Sequence, residues 1–197
     1  MKYSPRHTTG YLAAFLMVLA MVATTVSTAS AQQATDQRTY SENDIVEAGH
    51  HFFGSISSGL AKVVEKAVQK YGEPNGYILG EEGSAAFFAG ASYGEGQLFT
   101  RNAGTHTIFW QGPSIGWDMG GNGSRVMMLV YNLPNVDSMF KRYVGAKGSA
   151  YMVGGFGMQA LSNSNVVVVP VRAGVGARLG VNMGYLKFTR TPTWNPF

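Results

Sequence analysis

Cysteine is absent from the 197 residues. That excludes a disulfide scaffold, a thiolate metal site, a cysteine nucleophile and a lipid-modified N-terminal Cys. Charge is scarce too: Asp, Glu, Lys and Arg make up 13%. The apolar share of 45% is nevertheless too high for a disordered chain. Beyond the N-terminal stretch, no apolar run is long enough for a spanning helix. What is abundant is glycine, 26 residues, with aromatics at 12%. Without a collagen period, this mixture points to β-structure with many turns.

Lys2 and Arg6 form a basic start, Tyr11 to Val22 is almost wholly apolar, and Ala29-Ser30-Ala31 is a small-x-small site before Gln32. Together they predict a cleaved secretory signal over 1–31. The alternative, a membrane anchor, is opposed by the short run and by Thr24, Thr25, Ser27 and Thr28. Cleavage leaves 166 residues with net charge +2. Residues 32–42 then read as a flexible tether and 43–197 as a single domain. The charge is uneven, net −4 over 32–110 and +6 over 111–197. The basic half contains no Lys/Arg block, so nucleic acid is not an expected partner. An anionic envelope surface suits it better, with ordinary solvated surface as the alternative.

Ser41 followed by Asp44 resembles a capping box. From Ile45 to Tyr71 apolar residues recur at helical spacing, with Lys62, Lys66 and Lys70 on the opposite face. Gly54 and its Ser-rich sequel allow a break into two helices, and Gly72 then Pro74 ends the run. Past Pro74, short β-branched and aromatic runs alternate with Gly and Asn. Strands are predicted over 76–82, 85–92, 96–101, 105–111, 114–119, 125–132, 149–153, 166–171 and 177–189. Val126–Tyr131 and Val166–Val169 are apolar on both faces and need cover on both sides; the helix over 55–71 is the obvious cover. Asn135 to Tyr143 is the one late helical candidate. The expected fold is mainly β: a small antiparallel β-barrel or strongly curved sheet, an N-terminal amphipathic helical segment and one short late helix.

Catalytic patterns are present but lack partners. Gly112–Gly116 matches G-x-S-x-G, yet every His (7, 50, 51 and 106) precedes Ser114, and a strand-like run follows. Ser138–Lys141 matches S-x-x-K without its companion elements. Gly155–Gly157 and Gly174–Gly176 open no helix in a βαβ unit. Glu81 and Glu82 point to opposite faces of a strand, so they form no acid/base dyad. No enzyme activity, cofactor or metal is expected.

Three segments carry a resemblance: Asn75–Glu82 through Gly112–Asp118, Arg125–Leu133, and Val181–Phe197. Through them, residues 43–197 resemble the envelope integrity protein A family of alphaproteobacteria, a domain of unknown function. The resemblance implies a periplasmic protein with a small β-barrel, tied to envelope homeostasis and without known catalysis. A looser similarity, Gly112–Asp118 ahead of Val126–Asn132, is to the SYLF lipid-binding domain, whose basic N-terminal patch has no clear match beyond Lys62, Lys66 and Lys70.

The function expected is a non-catalytic periplasmic protein supporting envelope integrity, with a lipid or envelope polymer as candidate partner. Its candidate ligand-binding residues are Met119, Met127, Met128, Met183 and Trp117, with Met152 and Met158 nearby in kind. Methionine gives an adaptable apolar lining; the alternative is that they fill the core. Lys141, Arg142 and Lys147 are the candidate anionic-surface contacts, with Arg125, Arg172 and Arg178 as potential neighbours. A small outer-membrane barrel is the rival, favoured by terminal Phe197 and opposed by Pro192 and Pro196. A periplasmic hydrolase is the weaker alternative.

Overall fold

Ser41 starts the first helix by satisfying amides that a helix N-terminus leaves open. Its hydroxyl accepts from Asp44 N at 3.2 Å, and the Asp44 carboxylate accepts from Ser41 N at 3.0 Å, a complete capping box. Helix α1, Glu42–Phe53, ends at Gly54, which takes φ 76°. Helix α2, Ser58–Tyr71, starts from Ser57 and ends at Gly72. The long helical run is thus two helices. The computed structural model describes residues 38–54, 57–84, 91–113, 124–174 and 184–193.

Among the described residues ten strands follow: β1 Gly76–Ser84, β2 Ala91–Thr100, β3 Gly104–Pro113, β4 Ser124–Tyr131, β5 Arg142–Gly145, β6 Tyr151–Val153, β7 Phe156–Met158, β8 Leu161–Asn163, β9 Val166–Ala173 and β10 Tyr185–Thr189. Every pairing is antiparallel. Eight strands close in the order β1-β2-β3-β10-β5-β8-β9-β4, with β4 also paired to β1. Strand β7 continues the line of β8 along the same edge of β9. It carries β6 as a hairpin turned at Gly154 and Gly155, both at positive φ, a conformation open to Gly at little cost.

The period-2 alternation of β4 sorts two cores. Val126, Met128 and Val130 join Ile78, Leu98, Ile108, Trp110, Val168, Leu186 and Phe188 inside the barrel. Met127, Leu129 and Tyr131 face outward, under Ile45, Leu60, Val63, Val64 and Ala67 of the helices. Both faces of β4 and β9 are therefore covered, as their uniformly apolar sequences require. Each fully buried aliphatic side chain contributes about 1.5–3 kcal/mol. Helix α2 comes so close to the β6–β7 turn that a Cβ on Gly59 would stand 2.4 Å from the Gly154 carbonyl oxygen.

The one short late helix forms, over fewer residues than the 135–143 predicted. Only a four-residue 3-10 helix forms, Val136–Met139, capped by Asn135, and Arg142 already belongs to β5. Its apolar spacing is used differently. Met139 and Tyr143 both enter the barrel core, and Tyr143 pairs across from Leu186. A strand here bridges β8 and β10, which a helix could not do. The predicted strand over 114–119, most of 85–92 and the first part of 177–189 lie outside the described residues.

Candidate functional site

Two-residue alternation on β1 sends Glu81 outward and Glu82 inward. Glu82 is buried and accepts from Arg172 on β9, at 2.8 Å through Nη2 and 3.3 Å through Nε. Trp110 Nε1 donates to the same carboxylate at 3.0 Å. The indole has room because β1 and β2 carry glycine beside it: a Cβ on Gly94 would stand 2.2 Å from its ring. A buried charge needs pairing and hydrogen bonds, and this arrangement supplies both.

On the outer wall of the same strands lies a pocket of about 330 Å3. Glu81 and Glu95 stand directly opposite each other on β1 and β2, with Phe109 and Gln111 on β3 beside them. Pro192 and Thr193, following β10, complete its rim. Gln111 is 1% exposed, and its amide nitrogen has no hydrogen-bond partner among the described residues.

A second concavity, a groove of about 630 Å3, collects charge of the other sign. Lys141 and Arg142 at the start of β5 meet Lys187 on β10 and Arg190 just beyond it. Lys187 stands directly opposite Arg142. The Arg142 guanidinium lies 4.8 Å from the Tyr185 ring centre, and that of Arg190 lies 4.2 Å from Phe140 while pairing with Asp137. The strand ends here because Thr189 Oγ1 turns to the Thr191 carbonyl and Pro192 has no N–H for a ladder.

The candidate residues from sequence are therefore only partly brought together. Lys141 and Arg142 share the groove. Lys147 lies in the β5–β6 connection, outside the groove lining. Arg125 donates to the Phe52 carbonyl at the end of α1, and Arg172 is held inside the barrel. Lys187 and Arg190 complete the groove; their signal in the sequence is the basic spacing at the end of the chain. Met128 lies inside the barrel and Met127 beneath the helices, so these two adjacent methionines serve separate cores and do not line one cavity. Met158 lies beneath the helices as well, and Met152 is half-exposed. Met119, Met183, Trp117 and Arg178 lie outside the described residues.

The motifs with catalytic look are also placed. The Ser138 hydroxyl donates to Asn135 Oδ1 at 2.9 Å within the 3-10 turn. His50 reaches the Ser57 carbonyl, His51 stands 4.0 Å from Glu47, and His106 reaches the Ala103 carbonyl. Ser114 lies outside the described residues.

The family model for envelope integrity protein A matches residues 38–197. Among solved structures, the chain is similar to a beta-barrel-like, uncharacterised protein from Brucella abortus, with 61% identity and a TM-score of 0.79 over 81% of this chain and 99% of that one. No curated protein matches.

Proposed function

The chain belongs to the envelope integrity protein A family, and from that premise we propose that it is a non-catalytic periplasmic protein whose basic groove docks on anionic envelope components such as phospholipid headgroups. The observation that carries this reading is the convergence of Lys141, Arg142, Lys187 and Arg190 on one groove. Arginine pairs with phosphate oxygens through two parallel N–H groups and lysine adds a point charge. Cavity binding of a whole lipid has less support. The described interior is filled by large side chains, among them Trp110, Tyr143 and Phe188.

A water-soluble barrel is the reading supported over an outer-membrane one. Membrane barrels turn apolar residues out and polar ones in. Here the described interior is apolar around one ion pair, helices cover β4 and β9, and β1 and β2 expose Glu81, Glu95 and Gln97 outward.

The test is cosedimentation with vesicles of phosphatidylcholine alone and with added phosphatidylglycerol. Binding is expected only to the anionic vesicles and to weaken with salt. The variant Lys141→Glu/Arg142→Glu should lose most of it, while Lys147→Glu stays close to the parent. Equal loss from both variants, or no binding by the parent, would count against the groove.

A further inference from the structure

The pocket on the β1–β3 wall has a chemistry unlike that of the basic groove. Glu81 and Glu95 are exposed and face each other across adjacent strands, and neither has an ion-pair or hydrogen-bond partner among the described residues. Like charges in that position cost stability unless something is placed against them. Gln111 lines the same pocket with a buried amide nitrogen that no described group satisfies. A buried donor left unpaired is costly, and such groups are rare in folded proteins. Phe109 adds ring surface to the wall.

These features select a ligand by elimination. An anion is repelled by the two carboxylates. A simple ammonium group satisfies the carboxylates, but it carries no acceptor for Gln111. An acyl chain satisfies neither, and would strip water from three polar side chains. A molecule with several hydroxyl donors, oxygen acceptors and an apolar C–H face meets all three demands. We propose that this pocket binds a sugar ring, its hydroxyls donating to Glu81 and Glu95, an oxygen accepting from Gln111, and its C–H face lying on Phe109. At about 330 Å3, the pocket stands at the small end of the range for ligand sites, roughly 300–1,000 Å3. That size suits one terminal unit of a glycan. The assignment is independent of the basic groove.

Saturation-transfer NMR on the protein as the cell exports and processes it tests this, with galactose, N-acetylglucosamine and chitotetraose as probes and choline as the cationic control. Saturable binding of at least one sugar is expected, little changed between 50 and 500 mM NaCl. Equal affinity for monosaccharide and tetrasaccharide identifies a free sugar as the ligand, whereas tighter tetrasaccharide binding identifies a glycan chain. Glu95→Gln and Gln111→Leu should each weaken binding about tenfold without lowering the melting temperature. Glu95 is exposed, so its variant remains informative even where the Gln111 variant fails to fold. Absence of sugar binding at millimolar concentration would overturn the proposal. So would choline binding that salt abolishes, or parent-like binding by the folded Glu95→Gln protein.

Discussion

Glu82 and Arg172, ninety residues apart in the chain, meet inside the barrel at 2.8 Å with side chains only 1% and 3% exposed. The pair ties β1 to β9 across β4, the strand that lies between them. Desolvating both ions offsets much of their attraction, so the pair adds little net stability, yet breaking it leaves an uncompensated buried charge. Glu82→Leu or Arg172→Met should each destabilise by about 3–5 kcal/mol. The double variant Glu82→Leu/Arg172→Met should be less destabilised than the sum of its parts. Urea denaturation of the four proteins, read as a double-mutant cycle, checks this.

Trp110 makes the next demand on sequence. Its indole fills the space that Gly94 and Gly80 leave on the inner wall. Gly94→Ala forces the ring or the backbone to shift, at a cost of about 1–3 kcal/mol. Gly83→Ala, where a Cβ meets nothing within 4 Å, should leave the melting temperature nearly unchanged. Calorimetry on the two variants separates a packing role from a general need for glycine in β1 and β2.

Two buried tyrosines should respond oppositely to loss of a hydroxyl. Tyr143 Oη donates to the Ser138 carbonyl at 3.0 Å, whereas Tyr131 Oη has no hydrogen-bond partner among the described residues. Tyr143→Phe should cost about 1 kcal/mol, and Tyr131→Phe should be neutral or stabilising. Burial pushes the Tyr143 phenol up to about 12 and raises that of Tyr131 as well. A folded-state pKa above the unfolded value gives stability that is complete below pH 10 and is lost as pH rises toward 12. Denaturant midpoints at pH 7, 10 and 11.5 should therefore fall for the parent, and fall less for Tyr143→Phe.

How much of this was legible in the sequence depends on how local each cause is. Ser41 with Asp44, and the apolar stripe of α2, act within a few residues, and both are readable. The helical spacing of Met139, Phe140 and Tyr143 is equally visible, but the barrel uses it in a turn and a strand. Strands β7 and β8 have three residues each, too few to show alternation; their pairing with β9 makes them strands. Period-2 reasoning separates Glu81 from Glu82, but it is silent on which distant residue Glu82 meets. The basic groove divides along the same line. Lys141 and Arg142 are adjacent and conspicuous, while Lys187 joins them only through the β5–β10 register. Gln111 looks like any strand glutamine until the segment after β10 is seen at the pocket rim.

Asp44 couples the start of α1 to the β2–β3 turn. Partial burial acts to raise its pKa, but the bonds from the Ser41 backbone and hydroxyl and the Arg101 guanidinium at 2.6 Å outweigh it and hold the carboxyl below its usual range. A depressed folded pKa gives stability that is present above the unfolded value and is lost as pH falls through the folded one. Asp44→Asn keeps an oxygen for the cap and removes only the charge. Because both side chains are over 40% exposed, solvent screening limits the loss at pH 7 to about 0.2–1 kcal/mol. The parent and the variant should converge in urea midpoint as pH drops below 4, and 1 M NaCl at pH 7 should also narrow the gap. A gap that persists at low pH would assign the effect to cap geometry, not to the ion pair.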